Sequence, residues 1–441
     1  MKTGITRRSF LKRSSIIGAG FTILPAGILR AGNSPNEKLN IALIGVGGRG
    51  KAHHLIASSE NVVALCDVNG KNIAVAAKKF PKARQYVDWR KCLEQKDLDA
   101  VICSTTDHTH AFIATWAMNR GLHVYCEKPL ANSVEEARMV RTTYLKNKNK
   151  VATQVGTQRH AGPNFNRVRE LIKDGAIGEL KSVYAWGNRI HKCTGYLPAE
   201  GEPPKELNYD LWIGPAPFHP YNRRYFGGCL RWNTYRDFGT AQIGDMGSHT
   251  MDLAWNALDA EYPVSAEASG DPVSLEVAPN KFEAHFEHPS NDWRPAITVS
   301  WYQGGAMPKS PSKFVDLTKI AHGAMFKGSN GFVVADFGSR MILPYGKSAN
   351  MTYYKPRLEK DIIPYMGGFQ EQWINACKGD LKTSCNFDYA GTMIEQMLLG
   401  LVAYRVGRKI EWDKDNMKAV GCPEADQFIN KTYRKGWVLN G

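Results

Sequence analysis

The chain has 441 residues, room for two domains of ordinary size. Its 43% hydrophobic and 22% charged residues are those of a globular protein, which excludes a disordered chain, a collagen-like repeat and a multi-span membrane protein. The formal net charge of +15 suggests nucleic acid, but six cations (Lys2, Arg7, Arg8, Lys12, Arg13, Arg30) crowd residues 1–31 and the rest are spread without a dense basic run, so no nucleic-acid partner is expected.

Residues 6–12 read Thr6-Arg7-Arg8-Ser9-Phe10-Leu11-Lys12, and an apolar, small-residue stretch fills 14–29. This run resembles a twin-arginine (Tat) export signal. Three glycines and Pro25 make the stretch too weak for a membrane span. The resemblance implies a signal peptide over 1–31, passage through the Tat translocase as a folded protein, and a periplasmic or otherwise exported destination. Folding before export puts the cysteines in a reducing compartment, which suits their odd count of nine and the absence of any CxxC pair.

The next signals are those of a dinucleotide fold over 38–156. An apolar strand at 39–44 ends in Gly45-Val46-Gly47-Gly48-Arg49-Gly50, and a helical pattern follows. In that spacing Gly45 permits the tight turn, Gly47 lets the backbone approach a pyrophosphate, and Gly50 allows close helix–strand packing. A second strand, 62–66, ends at Asp67, where a carboxylate accepts from a ribose 2′-hydroxyl and repels a 2′-phosphate. NAD is therefore expected over NADP. Strands at 98–103, 123–126 and 150–155 alternate with helices at 108–120 and 134–146, which predicts a doubly wound parallel sheet.

The strand at 98–103 runs into Ser104-Thr105-Thr106-Asp107-His108-Thr109-His110, and the one at 123–126 into Glu127-Lys128-Pro129-Leu130-Ala131. With the glycine turn, these segments resemble the glucose–fructose oxidoreductase/inositol dehydrogenase (Gfo/Idh/MocA) family, whose most specific mark is the E-K-P. One departure is Thr106, where many members carry proline. The resemblance implies a Rossmann domain that holds a nicotinamide cofactor at Gly45, Val46, Gly47, Gly48, Arg49, Gly50, Asp67, Thr105, Thr106, His108, His110, Glu127 and Lys128. It also implies a carbohydrate substrate and assembly into a dimer or tetramer.

From Gly156 the pattern changes. A helix at 164–173 and strands at 180–188, 265–267, 281–288, 296–302 and 331–336 predict an α+β domain over 157–441, and the resemblance implies that its sheet is large, open and mixed. Residues 192–241 are rich in Pro, Gly and Tyr and read as long loops; helices are expected at 369–378 and 388–408. Gly244-Asp245-Met246-Gly247-Ser248-His249 precedes a helical stretch, and a helix starting at Asp245 would set Asp245 and His249 on one face. The family carries a D-x-x-x-H at this place in chain order, which with Lys128 forms its catalytic trio. Oxidising a secondary alcohol removes a proton from oxygen as hydride leaves carbon. His249 suits the base, and Lys128 suits the stabilisation of alkoxide charge. Lys128 is the alternative base if burial depresses its pKa.

Arg159, Asn188, Trp232 and Tyr235 are the candidate substrate contacts, the first two at strand ends and the last two in the loop before Asp245. No metal is expected, since there is no HExxH and no His/Cys group at ligand spacing. The expected activity is that of an exported, NAD-dependent carbohydrate oxidoreductase with a retained cofactor. Tat-signalled relatives that cleave glycosides through transient oxidation supply the alternative.

Overall fold

The computed structural model describes residues 38–346, 353, 366–379 and 382–441, so the expected signal at 1–31 lies outside the described residues. The first sheet has six strands, β1 (Asn40–Ile44), β2 (Asn61–Cys66), β3 (Arg84–Tyr86), β4 (Ala100–Cys103), β5 (His123–Cys126) and β6 (Thr153–Val155). They run in the order β3-β2-β1-β4-β5-β6. Every pairing is parallel. Each residue of β4 is buried, as a strand covered by helices on both faces requires.

The crossover helices are α1 (Gly70–Lys79), α2 (Asp107–Asn119) and α3 (Val134–Asn147). Asn69 caps α1 by accepting from Lys71 N–H, and Ser133 caps α3 by accepting from Glu136 N–H. The glycine turn opens not into a long helix but into a 3-10 segment, Gly48–His53, continued by one α-turn, His54–Ala57.

The second sheet has nine strands: β7 (Leu180–Gly187), β8 (Ser265–Gly270), β9 (Phe282–His288), β10 (Ile297–Gln303), β11 (His322–Gly328), β12 (Gly331–Ala335), β13 (Arg340–Pro344), β14 (Ile410–Asp413) and β15 (Lys418–Val420). Their order is β13-β12-β11-β7-β10-β9-β8-β14-β15. The β7–β10 pair is parallel and its neighbours are antiparallel, so the sheet is mixed, as expected. Burial alternates strictly along β9, the signature of a sheet covered on one face.

The remaining helices are α4 (Pro163–Lys173), α5 (Ala241–Asp245), α6 (Gly247–Trp255) and α8 (Phe387–Val406), with α7 (Phe369–Lys378) packed on the β5–β6 side of the first sheet. One hydrophobic core runs through both halves. Helix α8 is tied to α3 by a forked ion pair, with Arg138 Nε and Nη2 donating to Glu395 at 2.9 and 2.6 Å. The C-terminal tail returns to the first domain, where Thr115 Oγ1 and Trp116 Nε1 donate to the carbonyls of Leu439 and Val438.

The segment 192–241, expected as loops, holds two short helices, Tyr209–Ile213 and Cys229–Trp232, and an aromatic cluster of its own. It reaches back over the first domain. Leu207 bridges to Asn69, Gly70 N–H donates to the Glu206 carbonyl and Asn208 N–H to that of Val68, both at 2.8 Å.

Candidate active site

A cleft of about 570 Å³ runs along the C-terminal ends of the β1, β2, β4 and β5 strands and is bounded by Gly45, Asp67, Thr105, Glu127, Lys128 and Asp245 among others. That volume falls in the range of small-molecule and cofactor sites, roughly 300–1,000 Å³. The glycine turn shapes its floor. Gly45 has φ +82°, and a Cβ there would sit 2.5 Å from the Ser104 carbonyl oxygen; a Cβ on Gly50 would run into the Gly45 carbonyl. Val46, Gly48 and Arg49 complete the turn.

Asp67 lies directly behind that turn. Its Oδ2 accepts from Val46 N–H at 3.0 Å and Gly47 N–H at 3.2 Å, its Oδ1 from Asn69 N–H at 2.9 Å, and Asn72 Nδ2 donates to both oxygens at 3.2 Å. Burial pushes its pKa up against the pull of these donors. The carboxylate still borders the cleft, where a ribose would lie.

On the β4 loop, Thr105 and Thr106 line the cleft. His110 joins the β4 and β5 loops, its ring nitrogens 2.7 Å from the Pro129 carbonyl and 3.1 Å from that of Thr105. Two carbonyl acceptors require two donors, and so an imidazolium. Burial works against that charge, but Cys103 and Asp107 outweigh it and the pKa is raised. His108 points elsewhere. Its ring packs against the carbonyls of Trp212, Ile213 and Phe238 and borders a different cavity, so it anchors the returning segment rather than the cofactor.

At the end of β5, Glu127 Oε1 accepts from Arg49 Nε and pairs with His53 Nε2, both at 2.9 Å. Burial alone would raise this carboxyl; His53 and Arg49 hold it down at about 2. The next residue, Lys128, forms an ion pair with Asp245. Burial would lower the Lys128 pKa, yet the Asp245 carboxylate reverses that and raises it. Lys128 is therefore a held cation, not a lysine with a depressed pKa. Asp245 takes a second cation, Arg189 Nη1, at 3.1 Å. Burial opposes its charge, but Lys128 and Arg189 lower its pKa.

Asp245 and His249 do not share one uninterrupted helix. Asp245 ends α5, Met246 is a break, and His249 lies in the first turn of α6. No hydrogen bond joins them. Instead His249 faces Lys128 across a second cleft of about 440 Å³, lined also by Arg49, Gln158 and Arg159. Burial, with the Lys128 charge behind it, depresses His249 to about 4, so the ring is neutral at pH 7. Its Nδ1 is buried and has no hydrogen-bond partner among the described residues.

The substrate candidates separate. The Arg159 guanidinium lies 4.1 Å from the centroid of the Phe337 ring, in the cleft with His249. Asn188 is half-buried at the end of β7, beside Arg189. Trp232 lines the first cleft. Tyr235 does not: it is buried in the aromatic cluster, stacked on Tyr196 and edge-on to Tyr225. An aromatic in a Tyr-rich segment finds other aromatics before it finds a ligand.

Arg189, Asn72, His322 and Asp107 were not singled out from the sequence. Arg189 carried one signal, its place at a strand end beside Asn188. The fold also gathers two buried groups that linear spacing hides, Cys103–His110–Cys126 and His160–Asp252–Cys385. In the first, both His110 nitrogens already face carbonyls. In the second, Asp252 is taken by His160, Thr157 and Tyr389.

Comparison with known proteins gives two family matches: an oxidoreductase family, NAD-binding Rossmann fold, over residues 39–156, and the C-terminal alpha/beta domain of the same oxidoreductase family over 180–304. The levoglucosan dehydrogenase of Pseudarthrobacter phenanthrenivorans is 31% identical over 157 residues, 33% of this chain and 40% of that protein. The inositol 2-dehydrogenase of Salmonella typhimurium is 29% identical over 151 residues, 33% of this chain and 45% of that one. The match thus spans less than half the length of these curated relatives. Among solved structures, the WlbA dehydrogenase from Bordetella pertussis in complex with NADH and UDP-GlcNAcA has a TM-score of 0.59 at 18% identity, covering 86% of this chain and 99% of that one. A levoglucosan dehydrogenase complex with NADH and levoglucosan has 0.56 at 17%, covering 85% and 99%. At these identities the structural likeness establishes the shared fold.

Proposed function

The chain belongs to the Gfo/Idh/MocA oxidoreductase family, and from that premise we propose that it moves hydride between NAD and a secondary hydroxyl of a sugar, glycoside or polyol. The observation that carries this reading is Lys128, which lines the glycine-turn cleft in an ion pair with Asp245 and also lines the neighbouring cleft that holds the neutral His249. The cleft fits the cofactor: two glycines that admit no Cβ, a carboxylate at the ribose position and threonines beneath the far end.

Bound NAD would supply the hydride acceptor. The rest is the work of this chain. Lys128 donates to the substrate hydroxyl oxygen and holds the negative charge that grows there. Asp245 keeps the ammonium charged and aimed, and Arg189 holds Asp245 from the other side. His249 takes the hydroxyl proton, since its ring is neutral while Lys128 is already protonated.

The segment 204–212, fastened across the β2 end of the cleft, supports a cofactor that stays bound between turnovers. The Thr6–Lys12 motif supports export through the Tat route, where a retained cofactor would be the only one at hand. The same fastening favours one second reading, net glycoside cleavage, because a captive cofactor must be restored in every cycle. The dimer or tetramer that the family resemblance implies extends to this chain as a homo-oligomer.

The test uses protein purified without added nucleotide. Denaturation followed by mass spectrometry identifies any released nucleotide, and a panel of sugars, polyols and aryl glycosides is scored for nicotinamide absorbance and for aglycone release. NAD with absorbance changes on sugars supports the oxidoreductase. Aglycone release without net absorbance change supports the glycosidase. An empty protein that stays inert with NAD added sinks both.

A further inference from the structure

The cleft beyond Lys128 has an unbalanced charge. Three cations line it, Arg49, Lys128 and Arg159, and a fourth, Arg189, pairs with the Asp245 that holds Lys128. Among the described residues two carboxylates form ion pairs with them, Glu127 with Arg49 and His53, and Asp245 with Lys128 and Arg189, while Asp107 adds to the field at Lys128 alone. Arg159 has no carboxylate partner and no side-chain hydrogen bond among the described residues. Its guanidinium lies against the Phe337 ring.

Phe337 is the hub of this wall. Besides Arg159 it meets the rings of His249 and His322, with centroids 6.3 and 6.2 Å away. Among the described residues His322 has its Nδ1 buried without a hydrogen-bond partner, as His249 does. Burial, with the charges of Arg189 and Arg159 behind it, lowers the His322 pKa, so both arginines act on this one ring. A guanidinium resting over an aromatic face leaves N–H groups free to donate elsewhere. Their planar fork matches the plane of a carboxylate, which it grips by two parallel hydrogen bonds.

We propose that the substrate is an anionic carbohydrate, a uronic acid or similarly carboxylated sugar, whose carboxylate docks on Arg159 with Arg189 beside it while its reacting hydroxyl lies between Lys128 and His249. The proposal rests on the reading of this cleft as the substrate site of an oxidoreductase. The carboxylate brings negative charge to a cationic wall whose arginines are exposed, so its attraction is screened by salt. The cationic excess of the chain as a whole favours the approach of such a ligand.

Calorimetric binding to the NAD-loaded full chain tests this apart from turnover. The probes are four neutral sugars and their uronates: glucose, galactose, mannose and N-acetylglucosamine, each against its uronic acid. At least one uronate should bind about tenfold tighter than its neutral partner at low salt, and the preference should shrink as salt is raised. Arg159→Gln should bring the ratio below about threefold; the side chain is exposed, so the variant folds, and the salt series on wild-type protein needs no variant. Ratios under about tenfold for all four pairs, or a preference that survives Arg159→Gln, overturn the proposal. Glucose 6-sulfate binding tighter than every uronate overturns the carboxylate assignment. The two readings fail separately: uronate binding with no nicotinamide absorbance change counts against the oxidoreductase alone, and oxidation of neutral sugars with no uronate preference counts against this inference alone.

Discussion

Lys128 and Asp245 stand 117 residues apart in sequence and form one buried ion pair at the junction of the two domains. The pair sets the division of labour in the site. A lysine beside an ionised carboxylate stays protonated, and a histidine beside that ammonium stays neutral. Lys128→Met should therefore cost about 10²–10⁴-fold in kcat, the usual range for losing a charge-stabilising or proton-transferring group. Nucleotide content of the purified variant, read by mass spectrometry, should stay near wild type. Retained activity would remove Lys128 from the chemistry.

Asp67 accepts from two N–H groups of the glycine turn and borders the cleft. Asp67→Ala should weaken NAD binding by about 10–100-fold, in proportion to lost hydrogen bonds to a charged group. It should also admit NADP, because the repulsion of a 2′-phosphate goes with the carboxylate. The ratio of NAD to NADP affinity, measured by nucleotide fluorescence titration, is the readout. A ratio that does not move would mean that Asp67 only braces the turn.

The glycine turn, Asp67 and the E-K-P were legible because each is a local signal: a strand, a punctuating residue and a fixed spacing. The Lys128–Asp245 pair was legible only through family resemblance, since nothing local predicts that the ends of β5 and α5 meet. Arg189 was missed for the same reason; its role depends on how β7 is placed against α5. Family resemblance puts His108 in the site and chain position puts Tyr235 there, yet packing turns one toward the backbone of residues 212–213 and 238 and the other into an aromatic cluster. Strands β13, β14 and β15, at or next to the sheet's edges, left little trace, being three to five residues long, so that alternation barely repeats.

His288 gives a clean test of how buried neutral histidines couple to pH. It is buried against Gln396 and Trp255, and burial depresses it to about 4. Its ordinary value is 6.5. Between those values the unfolded chain binds the proton and the folded chain does not, so the folded state loses stability as pH falls through this window and regains it as pH rises. The loss of melting temperature from pH 7 to pH 5 should be smaller in His288→Gln than in wild type. Because the comparison is between two drops, a variant that is uniformly less stable still answers the question. Equal drops would mean that His288 titrates normally in the folded protein.

The fastening of 204–212 onto the β2 end of the cleft predicts slow nucleotide release. Two backbone hydrogen bonds, Gly70 to Glu206 and Asn208 to Val68, close the segment over the ribose side, and Leu211 and Trp212 line the cleft from above. For NAD to leave, that segment must lift. Trp212 stacks on Tyr209 and meets Phe226 and Phe238, so lifting it opens an aromatic cluster as well. Trp212→Ala removes the larger part of that contact, a deletion worth about 3–5 kcal/mol when such a side chain is buried. Expressed only partly in the opening step, it should speed NAD release by at least about tenfold, since 1.4 kcal/mol is one decade. The measurement is the loss of bound nucleotide during dilution and ultrafiltration, wild type against variant. Release that is fast in wild type, or no faster in Trp212→Ala, would mean that the segment does not hold the cofactor in place.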